Sequence, residues 1–516
     1  MINKKLKILL VFLMSASIMA ITSGVVLMVF NGVNSKKAHM KYETTFFLNN
    51  TENQYALFNE DGKKLTDFIY TSHSDVINGT AEVTKDEKVG IINTKGKMTV
   101  DFGKYESIIS KNGVYEVRDK NSKSYLINGN GKILYNLENA IVHTYTTSEF
   151  YSVLEDKKNK KYYILDSDGE ELESFSMNSN EEVSTNAKDN FVSIFYNNKN
   201  YILDLTTSKE LISFNANEHY CINKVSEDRK IIVLNSCSSS NNSKTTYKLF
   251  SNNNIIDISD ECDNAFFKDK NLICTKDNEE YLLDSNYKKA LAIASISYKD
   301  EKNYAKDNRS GNTSVDFYNN GKLVKNIPCR SLRDASYIHN DLYLLGTYSS
   351  TECATKSGIY EFYNSKGEKV FNKIFTSAEN YDYNGNAKVS EDDINYYLID
   401  NDGKQVSNLY NNINTVTILH GYYIVTKNNL KGLINNKGKE IIAPTYKDIN
   451  IYSVRDVNYA IMTTEDNKKV IYNLNTNKEI TSATGIVSLD EHYISVSNNG
   501  KKQYYSYKNG NMFHEI

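Results

Sequence analysis

Gly432-Leu433-Ile434-Asn435-Asn436-Lys437-Gly438-Lys439-Glu440-Ile441-Ile442 is the stretch on which the fold turns. Its first four residues form a short strand. Asn435 to Lys439 form a hairpin turn, with Gly438 where the backbone needs positive φ, and a second apolar strand follows. The phrase recurs at Gly90-Ile91-Ile92-Asn93 with Gly96-Lys97, Tyr125-Leu126-Ile127-Asn128 with Gly131-Lys132, and Tyr163-Ile164-Leu165-Asp166 with Gly169-Glu170. It recurs again at Val315-Asp316-Phe317-Tyr318 with Gly321-Lys322 and at Tyr397-Leu398-Ile399-Asp400 with Gly403-Lys404. Weaker copies begin at Ala56, Tyr201, Tyr247, Tyr281, Glu361, Val470 and Tyr504. These 13 anchors lie about 37 residues apart on average, a period of solenoids and propellers.

Working outward, Ile108 to Val117 reads as a second hairpin around Asn112-Gly113. Each unit is therefore expected to be a four-stranded meander, with the anchor hairpin first. A meander cannot bury both faces alone, so units must stack. Propellers typically hold about 4–8 blades. Two β-propellers of six and seven blades fit 13 units best, over residues 51–275 and 276–516, and an open β superhelix is the alternative. The class is all-β: 40 Tyr and 20 Phe favour strands, and no helical period follows residue 41. The last unit, from Tyr504 to Ile516, offers one hairpin, and Glu43 to Leu48 is the strand available to close a ring.

The units resemble the WG-repeat family, named for a Trp-Gly pair opening the first strand. The likeness is carried by Gly432-Leu433-Ile434-Asn435, Gly438-Lys439, Ile441-Ile442, Pro444, Tyr446 and Asp448-Ile449. It is carried again by Gly90-Ile91-Ile92-Asn93, Gly96-Lys97 and Tyr105 to Ile108. Trp is absent: Val89 and Lys431 hold its place, and most units have Tyr at the Gly position. The resemblance implies a repeat scaffold, often at the cell surface, with no common catalytic residue.

Ile8 to Ser35 is a run of 28 uncharged residues, long enough to span a bilayer core of about 20 apolar residues. Lys4, Lys5 and Lys7 precede it. A cytoplasmic N-terminus (1–7), a transmembrane signal-anchor helix (8–33), a linker (34–50) and an extracellular body follow. A cleaved signal peptide is the rival, with an apolar core of only about 7–15 residues. The first 41 residues hold six Lys and no acid, so the body carries a net −9, which argues against nucleic acid as a partner. Richness in Asn, Lys, Ile and Tyr resembles the composition of low-GC Gram-positive bacteria.

The six cysteines pair within units: Cys221 with Cys237, Cys262 with Cys274 and Cys329 with Cys353. The first and third pairs lie equidistant from turn-like stretches. The second is out of register and needs a bulge. Free buried thiols are the alternative, but an exported chain favours cystines. No nucleotide-binding glycine fingerprint, zincin or nucleophile-elbow motif occurs, so no catalytic residue, cofactor or metal site is assigned. The eight His are scattered, and Asp166-Asp168 and Asp400-Asp402 read as turn residues rather than calcium ligands. The expectation is a membrane-anchored, extracellular binding or scaffold protein, not an enzyme. Its partners would be a cell-wall glycan or a surface protein. The alternative is an exported propeller enzyme acting on glycans through paired carboxylates.

Overall fold

The computed structural model describes residues 44–516 except 145–150, 167, 177–183, 208, 238–244, 269–270, 309–312, 335, 349–352, 354–357, 455–456 and 499. The expected anchor helix at 8–33 lies outside the described residues. Among those, no helix is long and apolar enough to cross a membrane. Among the described residues the strands form 13 antiparallel sheets that follow one another along the chain. We number them 1 to 13, at residues 45–59, 72–100, 107–136, 140–176, 184–215, 220–257, 264–292, 296–328, 330–364, 377–399, 412–446, 448–483 and 487–515.

Ten sheets are complete four-stranded meanders. Sheets 9 and 10 gain their fourth strand through isolated bridges, such as Tyr363 to Lys369 and Ile399 to Gln405. Sheet 1 gains its last strand in the same way, at Phe58 to Lys64, but its strand Thr45–Asn49 pairs only with Tyr55–Asn59 among the described residues. The expected repeat frame is shifted by half a unit. The anchor hairpin supplies the third and fourth strands, and the Asn112-Gly113 hairpin supplies the first and second, as in the 107–136 sheet. Sheet 13 is accordingly complete, beginning at Val487 rather than at Tyr504.

The anchor turn is held by its opening Asn or Asp. Asn435 Oδ1 accepts from the backbone N–H of Lys437 and of Lys439, both at 3.0 Å. Asn93, Asn128, Asp166, Asp284, Asn364 and Asp400 repeat this double acceptance. An amide or a carboxylate oxygen serves equally well, which is why the position alternates between Asn and Asp. Gly438 follows at φ +74°, and a Cβ there would lie 1.8 Å from Val406 O of sheet 10. The turn thus tucks against the outer strand of the sheet before it, as the turn glycines Gly62, Gly96, Gly131, Gly169, Gly367, Gly403 and Gly510 also do. Gly432 answers a different demand. The outer strand Glu440–Tyr446 bulges opposite it, and a Cβ would lie 2.7 Å from Ile442 O and Pro444 N. Where Tyr replaces that Gly, as at Tyr201 opposite Ser213, the pairing runs without a bulge there.

The two apolar residues of most anchors point to opposite faces, although Val315 and Phe317 of sheet 8 share one cluster. Leu433 joins the cluster shared with sheet 12, while Ile434 joins the one shared with sheet 10. Ile91 and Ile92 divide likewise between sheets 3 and 1. Thirteen apolar clusters result, each bridging two consecutive sheets, and the last bridges sheets 13 and 1. In that seam Phe46, Leu48, Ala56 and Phe58 meet Tyr504 and Phe513. Ser506 Oγ donates to Glu60 O at 2.6 Å, and Lys508 Nζ lies 3.2 Å from Glu60 and 3.1 Å from Asp61. A Cβ on Gly62 would strike the Phe513 ring, the same tuck that Gly438 makes on sheet 10.

These contacts correct two expectations. Two separate rings would need closing contacts in mid-chain, and an open superhelix would leave two bare ends. Among the described residues no cluster joins non-consecutive sheets, and the only closure joins the first sheet to the last. The division at 275/276 falls inside the strand Asn271–Lys276, and the core continues from sheet 7 into sheet 8 through Ile273, Leu282 and Ile296. The segment Thr45–Asn49 does supply a strand at the seam.

The interlock and the seam can each be tested. Gly438→Ala should cost at least about 2 kcal/mol in urea unfolding, since it combines a strained φ with a backbone clash. Gly321→Ala shares the φ of +73° but meets nothing within 4 Å, and should cost less. The seam test concerns His514, which burial holds below the usual imidazole range, helped by nearby Lys64. Its ring lies 5.6 Å from Phe58, 5.3 Å from Phe68 and 5.6 Å from Tyr504, and Nε2 is buried without a partner. The open seam binds a proton that the closed seam refuses, so closure weakens as pH falls below about 6.5. Opening of 45–59 and 501–516, read as hydrogen exchange relative to the intrinsic amide rate at each pH, should rise between about pH 7 and about pH 5. An equal rise in His514→Phe would refute this account.

Candidate functional site

Sheet 3 joins its first two strands through Asn112-Gly113 and sheet 5 through Asp189-Asn190. Sheets 9, 10 and 11 use longer connections at the same place, 333–341, 379–386 and 416–421. Function gathers on such loops when a rigid scaffold holds them. Here they converge on one surface. The Tyr337 and His339 rings lie 5.2 Å apart, His339 and Tyr383 6.1 Å, and Tyr383 and His420 4.2 Å. Tyr383 is 37% exposed, and Ile418 beside His420 is 57% exposed.

Polar bonds fix this shelf. Tyr383 OH donates to Val416 O at 2.9 Å, and Asn384 Oδ1 accepts from Gly421 N at 2.7 Å. Asn386 Nδ2 donates to Asn436 O at 2.8 Å and to Tyr423 OH at 3.0 Å. Asn340 Nδ2 reaches Asn401 Oδ1 at 2.6 Å. The acids in these loops have local work: Asp341 pairs with Lys299 at 2.6 Å, and Asp382 accepts from Asn384 N and Thr415 Oγ1. Arg333, at the start of the first loop, lies over the Tyr360 ring, 5.5 Å from its centroid. Residues 334–341, 379–386 and 416–421 contain no Lys or Arg. The shelf therefore offers flat amphipathic rings and amides, and the cations at its edge are engaged, Arg333 over Tyr360 and Lys299 with Asp341.

A second polar cluster lies between sheets 5 and 6. His219 Nδ1 accepts from Ser184 Oγ at 2.8 Å, and Nε2 lies 3.2 Å from Ser193 Oγ, which itself donates to Tyr220 O. Burial holds the imidazole down to about pKa 4, so it is neutral at pH 7. A hydroxyl bonded to an imidazole resembles a nucleophile–base pair. Such a weakly basic ring, its far nitrogen on a serine rather than a carboxylate, is poorly suited to general-base work at neutral pH. The buried carboxylate Glu361 is also spoken for: it accepts from Arg330 at 2.9 Å, Lys369 at 2.8 Å and Tyr363 OH at 2.8 Å.

The six cysteines form three disulfides, Cys221–Cys237, Cys262–Cys274 and Cys329–Cys353. Their placement differs from a simple cross-hairpin bridge. Cys221 pairs in register with Asn235, so Cys237 sits diagonally beyond it. Cys274 pairs with Ala265, and Cys262 lies in the connection that leads into sheet 7. Cys353 lies beyond the second strand of sheet 9, in its link to the third. Each bridge thus pins a connection to a sheet, and no bulge is needed at Cys262. The turn carboxylates Asp166 and Asp400 accept backbone N–H groups, as described above, and Asp168 Oδ1 accepts from Asn78 Nδ2 at 2.6 Å.

The histidines that sequence spacing left scattered fall into groups. His73 stacks on Phe47 at 4.3 Å and His492 on Phe46 at 5.2 Å, on either side of the seam strand. His143 lies 3.2 Å from Glu155, and His39 lies outside the described residues. His339 and His420 meet across Tyr383. Their signal was available, because each lies in the same connection of its unit.

Residues 432–467 match a family model described as a WG containing repeat. No curated protein matches. Among solved structures, the chain is similar to a crystal structure of a eukaryotic initiation factor, with 11% identity and a TM-score of 0.24 over 78% of this chain and 95% of that one. It is also similar to BamB from Moraxella catarrhalis, with 11% identity and a TM-score of 0.19 over 58% of this chain and 91% of that one.

The disulfides give a third prediction. Replacing Cys329 and Cys353 by Ser opens a loop of 24 positions and should cost about 3 kcal/mol under oxidising conditions. The loss should be local, raising hydrogen exchange in sheets 8–10 and sparing sheets 3–5, since the apolar clusters join only consecutive sheets. Uniform destabilisation would contradict it.

Proposed function

We propose that the protein is a membrane-anchored, outward-facing propeller-like binding module that holds a neutral glycan, without turning it over, on the shelf of sheets 9–11. The observation that carries this reading is the convergence of Tyr337, His339, Tyr383 and His420 on three consecutive long loops. Locked aromatic rings stack on the C–H faces of a sugar, and amides meet its hydroxyls. The cations at its edge, Arg333 and Lys299, are already engaged by a ring and a carboxylate, which disfavours nucleic acid and anionic polymers. The uncharged run Ile8 to Ser35 supports the anchor, and three cystines agree with an oxidising exterior.

Calorimetry with soluble cell-wall oligosaccharides should give saturable binding. Tyr383→Ala should weaken it about tenfold, about 1.4 kcal/mol, while Ile133→Ala, an exposed residue on sheet 3, leaves it unchanged. Binding unaffected by Tyr383→Ala would move the site elsewhere, and turnover of the oligosaccharide would restore the enzyme reading. Protease added to intact, wall-stripped cells should remove the body, and full protection would reverse the orientation.

A further inference from the structure

The junction of sheets 5 and 6 holds a feature that ligand binding on the shelf does not use. A ring nitrogen of His219 and the two Sγ atoms of Cys221 and Cys237 lie within 4.8 Å of one another. Among the described residues no other group of three His, Cys, Asp or Glu does so, and the remaining two cystines have no imidazole beside them. We infer that the Cys221–Cys237 cystine is the closed form of a thiol-gated metal site, which on reduction takes a divalent cation of the zinc class.

The chemistry balances with a dithiol as reductant. One thiolate of the dithiol attacks a cystine sulfur, and the mixed disulfide is resolved by its second thiol. The dithiol leaves as a cyclic disulfide, having given two electrons and two protons to Cys221 and Cys237. Binding of the cation then releases both protons, since the thiolate is the ligand. The cysteine Cα atoms, 5.1 Å apart, leave room for the sulfurs to separate to the spacing of about 3.8 Å set by two Zn–S bonds of about 2.3 Å. His219 supplies the third donor through one ring nitrogen, while the other keeps its serine, Ser184 or Ser193, as the orienting partner. Ser184 is exposed, so the cation has a route from solvent, and water fills the fourth position. Metal and disulfide exclude each other: an oxidising exterior keeps the clip covalent, and a dithiol converts it to a metal clip at the same joint.

The test uses the whole protein, reduced with dithiothreitol, desalted without oxygen and titrated with Co²⁺ as the spectroscopic stand-in for Zn²⁺. One equivalent should bind, with a thiolate-to-cobalt charge-transfer band and the intense visible absorption of tetrahedral cobalt, and Zn²⁺ should bleach both. The oxidised protein should stay colourless. His219→Ala should weaken binding at least about tenfold. Cys221→Ser with Cys237→Ser should abolish it although four thiols remain. Four results overturn the proposal: no band in the reduced protein, a band that survives the double serine variant, binding indifferent to His219→Ala, and binding that appears only with loss of the β-sheet circular dichroism. None of these bears on glycan binding by Tyr383, so the two readings fail separately.

Discussion

A sheet with two apolar faces cannot be an end. Alternation of side chains along a strand sends Leu433 one way and Ile434 the other, and most anchors repeat that division. Every sheet therefore needs two neighbours. A linear stack of such sheets leaves one greasy face bare at each end, which soluble repeat arrays avoid with polar capping units. This chain has no polar cap among its described sheets, and sheet 1 meets sheet 13 instead. Closure of the circuit is thus a consequence of the same two-residue phrase that defines the repeat.

The turns make the stacking directional. A glycine at positive φ brings most of the hairpins against the outer strand of the preceding sheet, and Gly62 applies this rule across the seam. Sheet 7 is one of the departures. Tyr287 adopts φ +60° at the glycine position and donates to Ser251 Oγ of sheet 6 at 2.6 Å. A side chain there replaces close backbone approach with a hydrogen bond.

The repeat, its period and its all-β character were legible because they rest on local rules: the Asx turn, the glycine and the paired apolar residues. The frame of the unit was not, since both hairpins of a meander read alike and nothing local says which comes first. The number of rings was illegible for a deeper reason. It depends on contacts such as Phe46 with Tyr493 and Ser506 with Glu60, between chain ends far apart in sequence. Cystine partners followed from unit membership, yet their geometry did not, because Cys262 and Cys353 lie in connections where hairpin register has no meaning. The shelf was half legible. His339 and His420 each lie in the same connection of their units, but the anchors at Tyr397 and Gly432 follow at the ordinary spacing, and the approach of both rings to Tyr383 is set by packing between sheets.

The seam has a topological corollary. It repeats the interface found between every other pair of neighbours, so the place where the chain begins is arbitrary as far as the core is concerned. Sequence origin and mechanical structure are decoupled. Joining Ile516 to Thr44 through a short linker and cutting at another inter-sheet connection would leave every apolar cluster with the same members. The circuit is in this sense a closed necklace with a movable clasp.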